Sequence, residues 1–219
     1  MAADFDPGTG LGPRLRLVRA ARRLSVRELA RRVGCSASLI SQIERGVSVP
    51  SVGVLYSLAT ELGGSLDYLL FGSAAGPEAS KDADAGADAD ADLDAGPAGD
   101  ARPRAIVQRA DGRKIIDLAS GVRWERLTPQ SEATTDFLEV IYSPDGHSTD
   151  ERRPLRHDGR EYGLIISGTL QANVGFESYE LGPGDSIAFD SSTPHEYLNK
   201  TGEYVHAIWV VVHSEPGRA

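Results

Sequence analysis

Cysteine is almost absent from the 219-residue chain, where Cys35 stands alone. That excludes an internal disulfide and a thiolate-built zinc site, and it agrees with a reducing compartment. Long apolar runs are missing too. The longest, Val205 to Val212, is interrupted by His206 and falls far short of the roughly 18 residues a membrane span requires. The first residues, Met1 to Thr9, carry Asp4 and Asp6 where a secretory signal would carry Lys or Arg ahead of an apolar stretch. A cytoplasmic protein with no membrane partner is therefore expected. Lysine is absent from residues 1–72, which nonetheless hold nine arginines against six acidic side chains. What is present, 40% apolar and 25% charged residues, suffices for one or two globular domains with a real core.

The formal net charge of −9 is unevenly spread: residues 1–72 carry +3, 73–104 carry −5 and 105–219 carry −7. All nine arginines of the first segment lie between Arg14 and Arg45. A basic end on an acidic body points to a nucleic-acid-binding module, with a solvated Arg-rich helix face as the plainer alternative. From Asp82 to Asp100 only Leu93 and Pro97 depart from Asp, Ala and Gly, so nothing there buries enough apolar area to offset the entropy of ordering. Residues 73–104 read as a flexible acidic linker. Before it the apolar pattern has helical spacing. After it Pro and Gly punctuate short runs such as Phe137–Tyr142 and Tyr204–Val212, rich in Val and Ile. The expected order is a helical domain over 1–72, the linker, and a β domain over 105–219.

Several helix starts are marked in the first domain. Ser25 with Glu28 has the spacing of a capping box, Ser36 precedes a second stretch, Ser51 follows Pro50 ahead of a third, and Ser65 opens a short last helix. Within residues 26–45, Leu29, Val33, Cys35, Ile40 and Ile43 are spaced to bury one face of two helices. Ala30 is small where they approach, and Gly34 stands where the turn needs a permissive backbone. Cys35 falls in an apolar slot of that turn and reads as core rather than as a redox switch.

Residues Gly12 to Gly72, through LSVRELARRVGCSASLISQIERG, the Pro50–Ser51 pair and the closing LGGSLDYLLFG, resemble the XRE (Cro-like) helix-turn-helix family. The resemblance implies an all-α five-helix domain whose second motif helix enters the major groove of an operator DNA. Carried onto this sequence, Ser36, Ala37, Ser38, Ser41 and Gln42 meet the DNA near the start of that helix. Gln42 suits a bidentate pair with adenine, Ser38 is a less selective partner, and Ala37 touches a thymine methyl. Arg27 and Arg45 are placed for phosphates. Val26 stands where the family often has Gln, which removes one positioning contact.

Residues 105–213 read as about ten short strands separated by turn signals at Asp111, Pro144, Asp158 and Gly182, the pattern of a small antiparallel barrel. HDGREYGLIISG (157–168) and LGPGDSIAFDSSTPHEYLN (181–199) resemble the two motifs of the cupin family. That implies an all-β double-stranded β-helix barrel and hence, for the whole chain, a multidomain α + β fold. It also implies a divalent metal (iron, zinc, nickel or manganese) on His157, Glu161 and His195. Leu155 replaces the family's first His, and Asp190 and Ser192 stand where Pro and Gly are usual. The other reading of the three residues is a set that hydrogen-bonds inside the barrel or grips an organic ligand. His206, Trp124 and Tyr142, with Glu139 and Trp209, are expected to line the cavity, and His147 and His213 to be loop and surface residues.

An XRE-type module, a linker and one cupin resemble bacterial one-component transcription regulators. That implies a non-enzymatic, sequence-specific DNA-binding protein sensing a small-molecule effector or a metal and working as a homodimer. The alternative is a mononuclear non-heme iron cupin oxygenase or epoxidase with a helix-turn-helix-like accessory domain. An enzyme of that kind has no need of nine arginines or of small polar residues at base-reading positions. Thirty-two linker residues span about 30 Å as a coil, so a signal passes by docking of the barrel on the helical domain or by dimerisation, not by torque.

Overall fold

The structure, a computed structural model, describes residues 10–63, 66–72, 105–132, 134–149 and 154–213. The N-terminal stretch before Gly10, the linker and Ser65 lie outside the described residues. Five helices come first: α1 (Leu11–Ala21), α2 (Val26–Val33), α3 (Ala37–Glu44), α4 (Val52–Leu62) and α5 (Leu66–Phe71). Each serine expected to start α2, α3 and α4 does so. Ser25 Oγ accepts from Glu28 N, Ser36 Oγ from Leu39 N and Ser51 Oγ from Val54 N, satisfying one orphan amide per helix. Only half of the capping box forms, because the Glu28 carboxylate turns to Arg31 and Arg32 instead. Gly34 ends α2 in the left-handed region at φ 77°, a conformation that a Cβ would strain.

Leu15, Val18, Leu29, Ala30, Ile40, Ile43, Leu58, Leu62 and Leu69 form the core of the helical domain. Cys35 is half-buried against this core rather than enclosed by it, and burial pushes its thiol up from the ordinary value. Arg19 forks onto Glu44, with Nε–Oε1 2.5 Å and Nη2–Oε2 2.9 Å, and so ties α1 to α3. Arg14 donates to the Leu69 and Leu70 carbonyls, and Arg22 to that of Gly63.

Nine strands follow among the described residues, against the ten or so expected. They are β1 (Ile115–Leu118), β2 (Val122–Arg126), β3 (Thr135–Tyr142), β4 (Arg160–Ser167), β5 (Leu170–Val174), β6 (Glu177–Leu181), β7 (Ser186–Asp190), β8 (His195–Leu198) and β9 (Val205–Val212). A six-stranded sheet runs β1-β2-β3-β9-β4-β7 and a three-stranded sheet β6-β5-β8. Every strand pair is antiparallel. Alternation aims Val122 and Trp124, Leu138, Val140 and Tyr142, Glu161 and Ile165, and Ala207, Trp209 and Val211 inward. Gly163 lies under the Trp209 indole, where a Cβ would collide with the ring. The barrel expected from the sequence is thus built on these two sheets. Asn199, the last residue of the second motif, is architectural: its side chain donates to the Tyr142, Ser143 and Glu203 carbonyls and accepts from Thr201.

The helical domain closes the barrel's open end. Val52, Leu55, Tyr56, Leu66 and Leu70 join one continuous apolar cluster with Trp124, Leu138, Val140, Tyr142 and Trp209. Two backbone bonds cross the junction, Ala119 N–H to the Pro50 carbonyl at 3.3 Å and Gly53 N–H to that of Ser148 at 3.2 Å. Lys114 donates to the Phe71 carbonyl, and the Arg126 guanidinium sits 5.4 Å above the Phe71 ring.

Candidate metal centre and nucleic-acid interface

His157 precedes β4, Glu161 is the first inward position on that strand, and His195 opens β8. The three come together deep in the barrel, 7%, 4% and 1% exposed. Glu161 Oε1 lies 2.7 Å from His157 Nε2 and 3.1 Å from His195 Nε2. The opposite nitrogens settle the tautomers: His157 Nδ1 faces the Asp158 carbonyl at 3.2 Å, and His195 Nδ1 that of Thr193 at 2.8 Å. A carbonyl can only accept, so each Nδ1 carries a proton and each Nε2 of a neutral ring turns a lone pair inward. Among the described residues neither Nε2 has a hydrogen-bond partner apart from Glu161 Oε1. Two lone pairs against a buried carboxylate oxygen call for positive charge between them, supplied by a metal ion or by further protons. Burial alone would raise the Glu161 carboxyl; imidazoles that carry a proton on Nε2 and donate to it more than offset that and hold it far below the usual carboxylate range. Tyr197 Oη donates to the other oxygen, Oε2, at 2.7 Å. The donor set therefore fits a divalent cation of the iron, nickel, zinc or manganese kind, which when bound supplies Lewis acidity and open coordination positions.

Leu155, in place of a further ligand, bridges to His195 through the backbone and turns its side chain toward Gly53 of α4. Trp124, Tyr142 and Trp209 line a cavity of about 30 Å³ beside the ligands, together with Val52, Tyr56 and Tyr197. His206 and Glu139 do not line it. Both occupy outward positions on β9 and β3 and bond to each other at 3.0 Å, with Arg113 on the same carboxylate. The expectation fails because strand parity sends every second side chain to the other face. His147 lies half-buried in a loop, its Nδ1 against the Thr149 carbonyl. His213, expected at the surface, is instead half-buried: it bonds Asp136 at 2.7 Å, with its ring 6.5 Å from that of His157. The contact missed altogether is Tyr56, stacked on His157 with ring centroids 4.0 Å apart.

On the helical domain, Ile40 and Ile43 anchor α3 inward and leave Ser38 exposed, with Ala37, Ser41 and Gln42 half-buried beside it. Ser36 spends its hydroxyl on the cap, and Ser41 accepts from Arg45 Nη1 at 2.6 Å. Arg27 and Arg45 are exposed. Val26 packs against the core, so a different side chain there would have a different environment.

These two sites define the class: a helix-turn-helix domain carrying a cupin. Residues 15–69 match the helix-turn-helix family model and residues 139–211 the cupin domain model. The chain thus combines an XRE-type helix-turn-helix domain with a C-terminal cupin domain, a combination that supports a DNA-binding transcriptional regulator. It is 26% identical over 196 residues to the HTH-type transcriptional regulator PuuR of Escherichia coli K12, covering 89% of this chain and 90% of that one. The crystal structure of an HTH_3 family transcriptional regulator from Vibrio cholerae shares the fold, with TM-score 0.61 and 21% identity over 95% of this chain and 98% of that one. Hydroxypropylphosphonic acid epoxidase from S. wedmorenis is 20% identical over 94% of this chain and 98% of its own, but its TM-score of 0.43 supplies no argument. Among the described residues no helix is long and apolar enough to cross a membrane.

The Asp136 hydrogen bond raises the His213 imidazole above its ordinary value, against a smaller opposing effect of burial. The charged groups facing it are Asp136 and, more distantly, Glu161. A raised folded-state value stabilises fully below the unfolded value of about 6.5 and is lost as pH climbs through the folded one. His213→Gln is therefore expected to cost about 1 kcal/mol at pH 5.5 and markedly less at pH 9, read from urea melts of both proteins at each pH.

Proposed function

We propose that the protein is a one-component, non-enzymatic regulator of the cytoplasm. In this reading residues 1–72 grip an operator as a DNA-binding domain, residues 73–104 tether it, and residues 105–219 sense a divalent metal or a small-molecule effector. The observation that carries this reading is the division of labour among the arginines. Arg14, Arg19 and Arg22 are consumed by the fold, whereas Arg27 and Arg45 stay exposed around a short helix that presents Ser38 and Gln42. The oxygenase alternative needs space for an organic substrate beside the ligands, and the cavity of about 30 Å³ is small for one.

Genomic DNA-binding mapping and metal analysis of one purified sample test both halves together. Gln42→Ala is expected to lose about 1–3 kcal/mol of discrimination at one base pair. Arg27→Ala should weaken all sequences alike and flatten the salt dependence. Competition binding across operator variants separates these, and uniform weakening by Gln42→Ala removes its base-reading role. For the barrel, His157→Ala, Glu161→Gln or His195→Ala should each abolish stoichiometric metal while far-ultraviolet circular dichroism stays unchanged. Full retention by all three would reject the site.

Homodimerisation belongs to the same proposal, since modules of this type read two half-sites about 34–36 Å apart as dimers. The outer face of the larger sheet supports the barrel as the assembly unit. Phe137 of β3, Val212 of β9 and Tyr162, Leu164 and Ile166 of β4 are exposed on three adjacent strands, a contiguous apolar face suited to a second copy. Leu164→Lys should shift sedimentation toward the monomer at micromolar concentration; an unchanged dimer would place the interface elsewhere.

A further inference from the structure

The centre formed by His157, Glu161 and His195 is not enclosed by the barrel alone. Tyr56, on α4 of the DNA-binding domain, lies flat on His157, with ring planes 4° apart and centroids at 4.0 Å. The edge of the same phenol meets Trp124 at 5.9 Å, and Val52, one turn earlier, lines the same small cavity. The two imidazoles are held very differently. His195 is fixed by its 2.8 Å bond to the Thr193 carbonyl, by paired backbone bonds to Leu155 and by ring contacts with Phe189 and Tyr197. His157 has a backbone bond to Ser191, a 3.2 Å ring bond to the carbonyl of its own neighbour, Asp158, an edge contact with His195 and a more distant one with His213, and the ring stacked flat on it is Tyr56. The stacked face of one of the three donor rings therefore comes from the other domain.

Resting on the reading of these residues as a metal site, we propose that α4 is a working part of it. Tyr56 is a positioning residue that holds His157 Nε2 toward Glu161 and His195, so metal loading and docking of the DNA-binding domain favour one another. Coupling of this kind is reciprocal: whatever factor docking adds to metal affinity, metal adds to docking. The cavity's size makes the metal the natural ligand of the docked state. At about 30 Å³ it has room for an ion with a water, whereas a larger organic molecule must displace Val52 and Tyr56. Gly53 permits the approach. A Cβ there would come within 3.1 Å of Leu155 Cδ2, so a long charged side chain at position 53 presses on the contact between α4 and the barrel without replacing a donor residue.

The full-length protein, stripped with a chelator, is titrated with zinc(II) alone against a competing chromophoric chelator, and with cobalt(II) for its visible ligand-field bands. Tyr56→Ala is expected to weaken zinc binding about 10- to 100-fold, the usual effect of losing a group that orients a ligand, and to alter the cobalt bands. Tyr56→Phe, which keeps the stacking face, should restore both. Gly53→Glu, whose carboxylate suits the first turn of a helix, should weaken zinc by a similar factor while the helical content stays intact, so the test stands even if Tyr56→Ala folds poorly. Wild-type affinity in both Tyr56→Ala and Gly53→Glu would overturn the coupling and leave the metal site standing. Failure of the wild type to bind zinc or cobalt would overturn the metal site and the coupling with it.

Discussion

The fourth helix is apolar on two sides, and the architecture follows from where those sides go. Leu58 and Leu62 face the other helices, while Val52, Leu55 and Tyr56 face the barrel. A helix with apolar residues around most of its circumference has to be buried around most of its circumference. Burying α4 from both directions makes the helical core and the barrel core neighbours across a single helix. The barrel end that would admit water is closed by the same side chains, and the polar ligands beneath sit in a low-dielectric pocket where their mutual orientation matters more than it would in solvent.

Charge is handled in two separate ways in the two halves. In the helical domain three arginines tie carbonyls and Glu44, Arg31 and Arg32 converge on Glu28, and only part of the positive charge faces outward to act as a phosphate-attracting surface. Inside the barrel one carboxylate is set against two imidazoles with a tyrosine hydroxyl on its far oxygen. The first arrangement acts at long range and weakens with salt. The second acts over a few ångströms and is insulated from salt by burial.

The helix starts were legible because a serine oxygen satisfying an amide is a local event, independent of the rest of the fold. The three donor residues were legible because the paired motifs space them. Strand parity was not legible where it mattered. In β9 the outward Ile208, Val210 and Val212 are as apolar as the inward Ala207, Trp209 and Val211, so nothing in the run tells one face from the other, and His206 was assigned to the cavity it turns away from. The same two-faced apolarity creates the exposed sheet surface. Docking of the barrel on the helical domain is one of the two routes the sequence allows, but the surfaces that dock are not legible in it. The acidic segment names no docking surface, and the contacts that join the halves come from α4 and α5, helices whose excess of apolar positions is the available sign. Tyr56 carried no motif at all.

The sharing of α4 bears on how regulators of this build can be recombined. Transplanting a DNA-reading head from one such protein to another is tempting when an acidic tether marks an obvious place to cut. A cut in the tether would carry α4 along with the foreign head and present the host barrel with a strange lid, in which nothing ensures an aromatic ring over His157 or a glycine opposite Leu155. The cleaner exchange keeps α4 with its barrel and replaces only the outward-facing residues of α2 and α3. The functional unit of inheritance in this chain is then larger than the domain, and its boundary runs through the middle of the helical bundle.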